Sequence, residues 1–442
     1  MELKTTDNNC GSYKVDSNHL LNLQQIANVK ISSLSIEENS NLLVFPDCFN
    51  KCKDKIYDES IFSLQGEKLT TNNVMGFVGI NESELTIQSR FAKNDKDYFL
   101  HYMLQKVFSI NLFDLKHSSS QENIFDFLLY LFPFYLKKAL SQGLYKEYKQ
   151  NSYNNANIKG SIDVNRHLKY NTPFNGKIAY KVREHRYDNK ITQLIRHTIE
   201  LIQRHKFASQ ILSTDSDTYN FTKQIIQATP SYDYNQRREI INKNIRPIIH
   251  PYYSEYKGLQ QICLKILRYK GLKFGQENDK VYGLLFDGAW LWEEYLNTIL
   301  KDCGFKHPLN KESKGAIYLF NNSKNYSRFP DFWTEDFILD AKYKRLTKDG
   351  IDRNDMHQII SYMYIKQAKL GGFISPIEKN EEIGNEKIGT LNGYYGIVKI
   401  WLLPIPEEKE NFKEFCNQMA ENENKLKEIM LKEKSLSNSY AS

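Results

Sequence analysis

The tightest constraint on this chain lies in the run Phe329-Pro330-Asp331-Phe332-Trp333-Thr334-Glu335-Asp336-Phe337-Ile338-Leu339-Asp340-Ala341-Lys342-Tyr343-Lys344. A Pro-Asp pair is followed by a polar turn, and an apolar run then ends in Asp-x-Lys. Phe337 to Tyr343 reads as a strand, because it is apolar and aromatic and is bounded by Thr334-Glu335-Asp336. Side chains two apart on a strand share a face. Asp340 and Lys342 therefore point the same way, and Ala341 points away. The piece from Arg328 to Trp333 is expected to pair with this strand as a hairpin, which brings Asp331 to the same end of the sheet.

Two carboxylates and an ammonium at one sheet end suit phosphoryl chemistry assisted by a divalent cation. Mg2+ takes hard oxygen ligands, keeps several waters and needs only one or two protein carboxylates; Mn2+ is the expected substitute. Such a cation polarises a phosphoryl oxygen and lowers the pKa of a bound water. Lys342 would orient that water or offset the charge that develops at phosphorus. The pattern resembles the PD-(D/E)xK metal-dependent nuclease core. That resemblance implies an α/β C-terminal domain with a mixed central sheet flanked by helices. The same letters also arise from turn chemistry beside a solvated strand face, so the flanking sequence matters.

Upstream, Phe286 to Leu300 reads as a helix whose Trp292, Tyr295, Leu296 and Ile299 recur at i, i+3, i+4 and i+7. Glu293 flanks that buried stripe and is a candidate third metal ligand beside Asp331 and Asp340. Glu294 reads as the solvated face. Downstream, Ile351 to Ile365 reads as a second helix with Asp352 as its N-cap. Gln358 and Tyr362, four apart, share one face, and a helix crossing the sheet there puts Gln358 near Lys342. His357 is given no role. Lys344, Arg345, Lys348 and Arg353 follow the Asp-x-Lys run closely and form a candidate DNA-phosphate rim.

The remaining chain sets the frame. Its 442 residues are enough for two or three domains, 40% hydrophobic and 26% charged content is ordinary for a globular protein, and a net charge of +7 agrees with a polyanionic partner. Residues 1 to about 40 show little periodicity. Short strands follow to about 92, then helices over 97–113 and 122–148, the second with Pro133 as an expected kink or break. Gln150 to Asn157 reads as a polar connector. Ile158 to Arg186 reads as an extended basic hairpin, followed by helices over 188–206 and 253–270. Strands over 371–374 and 396–403, a surface loop over 376–391, a charged helix over 407–434 and a disordered tail close the chain. The expected division is a mixed β/α domain over 1–150, a finger and helical region over 151–275, and a nuclease domain over 276–442. Gly384 to Thr390 lacks the lysine and the strand-to-helix frame of a phosphate loop and reads as a turn. Cys48 and Cys52 are the one close cysteine pair, too little for a zinc site, so reduced structural thiols are expected. No 18-residue apolar stretch and no N-terminal signal segment is present, so the expectation is a cytoplasmic protein without membrane contact.

Several segments together resemble the McrC family, the nuclease subunits of McrBC-type modification-dependent restriction systems. They are Leu69 to Ile80, Leu85 to Phe91, Tyr98 to Leu104, Gly160 to Lys169 and Tyr187-Asp188-Asn189, followed by the nuclease run itself. The resemblance implies catalytic roles for Glu293, Asp331, Asp340, Lys342 and Gln358. It also implies a McrB-like AAA+ GTPase ring as partner, which uses the GTP, and double-stranded, modified DNA as substrate. The basic hairpin then becomes a finger that enters the ring, with Arg166, Arg183 and Arg186 as candidate partner contacts. Two other readings remain open: a DNA-binding activator that no longer cuts, and a stand-alone PD-(D/E)xK nuclease.

Overall fold

The computed structural model describes residues 2–11, 13–36, 41–46, 55–81, 83–92, 97–108, 120–205, 209–213, 215–272, 281–308, 315–378, 384–407 and 411–439. Cys48 and Cys52 lie outside these residues. The elements run β1 (Glu2–Thr6), β2 (Tyr13–Lys14), α1 (Ser17–Gln24), α2 (Ile31–Ile36), β3 (Asn41–Phe45), β4 (Phe62–Gln65), β5 (Lys68–Thr71), β6 (Val74–Ile80), β7 (Ser83–Gln88), α3 (Tyr98–Phe108) and α4 (Ser120–Leu140). Next come β8 (Glu147–Asn155), β9 (Ser161–Ile162), α5 (Val164–Tyr170), β10 (Ile178–Arg186), α6 (Lys190–Gln203), α7 (Ser216–Ala228), α8 (Arg237–Lys243) and α9 (Tyr256–Leu272). The last third holds β11 (Val281–Asp287), α10 (Gly288–Leu300), β12 (Ile317–Phe320), β13 (Ser323–Arg328), β14 (Phe332–Trp333), β15 (Phe337–Ala341), α11 (Arg353–Lys366), β16 (Leu370–Glu378), β17 (Gly384–Thr390), β18 (Ile397–Ile405) and α12 (Phe412–Ser439). The chain forms two compact units, one of Met1–Leu112 with Glu277–Ser442 and one of Phe113–Gln276.

The first unit contains two five-stranded sheets. One has the order β1-β7-β6-β11-β3, so β11, from far along the chain, lies between two N-terminal strands. Close backbone approach makes this possible. A Cβ on Gly76 would sit 2.0 Å from the Leu284 carbonyl oxygen, so only glycine fits there. In β7 the side chains alternate, with Ser83, Leu85 and Ile87 buried and Glu84, Thr86 and Gln88 half-exposed. The second sheet has the order β14-β15-β16-β18-β17. Strands β15, β16 and β18 run parallel, and β14 and β17 are antiparallel edges. Every residue of β15 is buried, as are Leu370 to Ile377 of β16, which is the pattern of parallel strands covered on both faces. The mixed α/β class and the mixed central sheet flanked by helices are as the sequence implied.

An N-terminal cap and a layer of aromatic rings hold α10 in place. Asp287 Oδ1 accepts hydrogen bonds from Ala289 N at 2.9 Å and Trp290 N at 3.3 Å. Trp292 and Tyr295 are fully buried and pack against Phe99 of α3. The phenol groups of Tyr295 and Tyr102 both donate to Glu423 Oε1 at 2.8 Å, and Lys106 pairs with Glu423 Oε2 at 2.8 Å. This carboxylate fastens α12 to α3 and α10.

The second unit holds a three-stranded sheet and a helical core. β8 and β10 pair over their full nine-residue lengths, from Glu147↔Arg186 to Asn155↔Ile178. Their connection carries β9 and α5, with Asp163 capping α5. Asn189 and Thr192 form a reciprocal capping box at the start of α6.

Several local expectations change. The helix expected over 122–148 stops at Leu140 and Gly143 turns the chain at φ +89°, so Glu147 to Asn155, including most of the supposed polar connector, is a strand. Its polar side chains suit an exposed ribbon whose stability comes from main-chain pairing with β10. Pro133 does not break α4. Gly384 to Thr390 is an edge strand paired with β18, not a turn. The described residues before 41, which show little periodicity in the sequence, form β1, β2, α1 and α2, and α12 continues to Ser439 through the start of the expected tail.

His197 of α6 is completely buried against Tyr232, with neither ring nitrogen hydrogen-bonded. Burial, and then the charge of Arg237, push it down to about 4 from 6.5. The unfolded chain therefore takes up this proton first as pH falls. The stability it contributes is full above pH 6.5 and is lost progressively toward pH 4. The melting temperature of wild type should fall more steeply between pH 7 and 5 than that of His197→Leu, by thermal unfolding at both pH values. Equal slopes would show that this imidazole does not govern the acid sensitivity.

Candidate active site

β14 and β15 form the expected hairpin, with Phe332 opposite Leu339 and Trp333 opposite Ile338. Asp340 and Lys342 lie at the carboxyl end of β15, the end of a parallel sheet where ligands bind. The regular strand ends at Ala341, but Lys342 N still donates to Ile374 O at 2.9 Å. Lys342 is therefore held in register with β16. Asp340 is 1% exposed and Asp331 9%. Asp331 Oδ2 accepts a hydrogen bond from Ala341 N at 2.8 Å, which ties the Pro-Asp turn to the Asp-x-Lys segment.

The Lys342 ammonium is surrounded by acceptors. Its Nζ lies 2.7 Å from Asp340 Oδ2 and 2.9 Å from Asp355 Oδ1, and it donates to Gln358 Oε1 at 3.2 Å. Gln358 Nε2 donates to the Tyr362 phenol at 2.6 Å, and Tyr362 donates to the Phe329 carbonyl at 3.1 Å. A continuous chain of bonds thus runs from Lys342 across one face of α11 back to the turn that carries Asp331.

The charges are strongly perturbed. Burial, and then the Asp331 charge, push Asp340 up to about 7. Burial works to lower Lys342, but Asp340 and Asp355 outweigh it and hold the ammonium above the usual lysine value. Burial likewise works to raise Asp355, and Lys344 and Lys342 outweigh it, so Asp355 sits below the usual carboxylate range. Both members of the pair are raised, which draws Asp340 toward its neutral form while Lys342 keeps its charge. Asp355 reconciles them, because it supplies an ionised partner for Lys342 even when Asp340 carries a proton.

The other expected site residues fall out as follows. Glu293 is half-buried on α10. Its neighbour Glu294, read as merely solvated, lies 3.7 Å from His307 Nε2, while His307 Nδ1 is 2.8 Å from the Asp331 carbonyl and the ring stacks on Phe332. Burial works to lower His307, but Glu294 and the Asp331 carbonyl hold it above the usual histidine value. Each of three rim cations has an acidic neighbour: Lys344 has Asp355 at 2.5 Å, Arg345 has Glu378 at 2.5 Å, and Lys348 has Glu386 at 3.9 Å. Arg353 is exposed in the first turn of α11, and His357 is exposed. In the second unit, Arg166 lies on α5 near the Tyr170 ring, Arg183 stacks on Tyr148 at 4.7 Å, and Arg186 is exposed at the end of β10.

The donor set suits a hard divalent cation. Asp340 Oδ2 is buried without a well-angled hydrogen bond, although Lys342 is near, and Asp331 is close enough for its charge to raise Asp340. Two carboxylates are sufficient for Mg2+, which completes its shell with water. Among the described residues no three His, Cys, Asp or Glu side chains converge as a metal-holding group, so the shell of three carboxylates expected with Glu293 is not assembled. Sequence reasoning missed Asp355 and the Glu294–His307 pair. Asp355 was legible, since it lies three residues before Gln358 and hence on the same helix face.

A family model described as a McrBC 5-methylcytosine restriction system component matches residues 69–376, more than half of the chain. The chain belongs to the McrBC family. Two solved structures from Thermococcus gammatolerans are similar to this McrBC-family component. One is a refined half-complex from a tetradecameric assembly of McrB AAA+ hexamers with bound McrC, at 14% identity, covering 95% of this chain and 100% of that one, with a TM-score of 0.45. The other is a cryo-EM structure of the McrBC complex, at 14% identity, covering 70% and 89%, with a TM-score of 0.31. No curated protein matches the chain.

If Asp331 and Asp340 hold the cation, adding Mn2+ or Mg2+ should raise the melting temperature of this McrBC-family protein by linkage. The rise should be lost in Asp340→Asn. An undiminished rise in the variant, read by thermal shift, would place the cation elsewhere.

Proposed function

We propose that the chain is the DNA-cutting component of a McrBC-type restriction complex, a Mg2+-dependent endodeoxyribonuclease that acts with a separate AAA+ GTPase. The observation that carries this reading is the group formed by the buried Asp331 and Asp340 with the half-buried Lys342 at the end of β15, with Gln358 facing Lys342. Burying charges is costly, and apolar replacements of similar volume are often at least as stable. A strand end that keeps two acids and a lysine together is therefore better explained by chemistry than by stability.

The roles follow from the contacts. Asp331 and Asp340 would hold the cation, which when bound activates water and polarises the phosphoryl oxygen. Lys342 presents an ammonium to the phosphate oxygen or attacking water, where it offsets developing negative charge. Gln358 and Tyr362 fix the direction of that ammonium relative to the Pro330-Asp331 turn. Lys344, Arg345, Lys348 and Arg353 follow the Asp-x-Lys run closely in the sequence and would contact DNA phosphates, which position the duplex without reading its sequence. Glu293 remains a candidate for the outer shell of the cation.

The partner would be a McrB-like AAA+ GTPase ring. The family description names 5-methylcytosine, so double-stranded DNA carrying that base is the first substrate to test. The β8–β10 ribbon, with Arg166, Arg183 and Arg186, would contact the ring. GTP would be used by that partner, since Gly384 to Thr390 has neither the lysine nor the frame of a phosphate loop. No described helix is long and apolar enough to cross a membrane, and the reaction is assigned to the cytoplasm with its DNA. A silent activator would have no use for an intact acid, acid and lysine set, and a stand-alone nuclease would not need the finger.

Wild type co-purified with its AAA+ partner, given Mg2+ and GTP, should cut methylated DNA. Lys342→Ala should cut at least about 10²-fold more slowly, the scale for losing one stabilising donor, while DNA binding and GTPase stimulation persist. Equal cutting, or none by either protein, would defeat the nuclease reading.

A further inference from the structure

Asp355 has no place in the Asp-x-Lys run, yet it is the acid that organises the cations around it. It lies in the first turn of α11, where the helix dipole favours a carboxylate. Its side chain is 15% exposed, and it divides its two oxygens between two lysines. Oδ1 lies 2.9 Å from Lys342 Nζ, and Oδ2 lies 2.5 Å from Lys344 Nζ. Lys342 and Lys344 are two apart on the segment that continues β15, so both can turn toward α11.

Lys342 has three protons to donate, and three acceptors surround it: Asp340 Oδ2, Asp355 Oδ1 and Gln358 Oε1. A cation held by Asp340 would draw that oxygen's charge away from Lys342. Asp355 then remains as the charged anchor, with Gln358 as the neutral one. Lys344 is in a different position. Its side chain is 40% exposed, and its ammonium meets a carboxylate on one side and solvent on the other. A DNA phosphate arriving there competes with Asp355 for the same ammonium.

We infer that Asp355 is a positioning residue for the nuclease reaction: it aims the Lys342 ammonium through Oδ1 and keeps Lys344 in reserve through Oδ2 until a DNA phosphate draws Lys344 away. This inference rests on the nuclease reading above. It adds a coupling between substrate arrival and the lysine at the centre, because Lys344's departure leaves the whole Asp355 charge to Lys342.

The test uses Asp355→Asn, which keeps shape and one acceptor, and Asp355→Ala, in the full complex with Mg2+, GTP and methylated DNA. Misaimed by about an ångström, Lys342 should cost about 10²-fold in the single-turnover cleavage rate. DNA affinity should stay equal or increase, because Lys344 is released. The melting temperature of Asp355→Asn should stay close to wild type. Cleavage at the wild-type rate, or a loss of cleavage accompanied by weaker DNA binding or a lower melting temperature in Asp355→Asn, would overturn the assignment. A second readout does not depend on cutting. Reductive methylation followed by peptide mass spectrometry should modify Lys344 and Lys342 faster in both variants than in wild type, and unchanged modification would also overturn the assignment. If wild type itself fails to cut, the nuclease reading fails, and the methylation result alone decides whether Asp355 clamps the two lysines.

Discussion

The alternation of side chains from Asp340 to Arg345, along a segment that leaves β15 after Ala341 and bends at Lys344, governs the candidate-site half of the first unit. One set of side chains, Asp340, Lys342 and Lys344, forms the ion pairs that reach Asp355 on α11. The other set, Ala341, Tyr343 and Arg345, turns toward the N-terminal sheet. Tyr343 meets the Ser89 hydroxyl at 2.8 Å and packs edge-on against Phe91, and Arg345 Nη2 donates to the Arg90 carbonyl at 3.1 Å. Arg90 itself is bound by the fully buried Asp7 and donates to the Tyr343 carbonyl at 3.1 Å. A one-residue slip would bury lysines against phenylalanine and turn Tyr343 out. The register that builds the site is therefore the register that joins the two sheets of the first unit.

That dependence explains the tight backbone around the site. Gly372 lies opposite Leu339, and a Cβ there would meet the Lys399 carbonyl oxygen at 1.8 Å. Strands β15, β16 and β18 are thus drawn together behind Asp340. On this rigid floor α11 lays down Asp355, Gln358 and Tyr362 along one face. The charges that matter come from two elements with separate reasons to be rigid. Pre-organisation of this kind is the main way a protein stabilises charge that develops in a reaction.

The parts legible in the sequence were those with a local signature. The Asp-x-Lys strand, the helix expected over Phe286 to Leu300 with its aromatic stripe (it starts at Gly288, after β11) and the Asp352-capped helix carrying Gln358 and Tyr362 all follow from spacing and caps. β8 was missed because Gln150 to Asn155 carries no apolar alternation, and its strand character comes from pairing with β10. The insertion of β11 between β6 and β3 has no local sign, since the pairing spans about two hundred positions and is announced only by small residues such as Gly76 and Gly283. Glu294 and His307 meet only through the fold, so their link to the Asp331 carbonyl could not be read from spacing. Asp355 was different, because its helical offset from Gln358 was in plain view and only its polar setting disguised it.

The central claim is that the pair of buried Asp340 and half-buried Lys342 is kept for chemistry rather than for stability. The most direct measurement compares the double variant Asp340→Leu/Lys342→Met with wild type, both for thermal stability and for cleavage of methylated DNA by the assembled complex. The account predicts a melting temperature equal to or above that of wild type, with cleavage abolished. A markedly lower melting temperature with cleavage retained would contradict it.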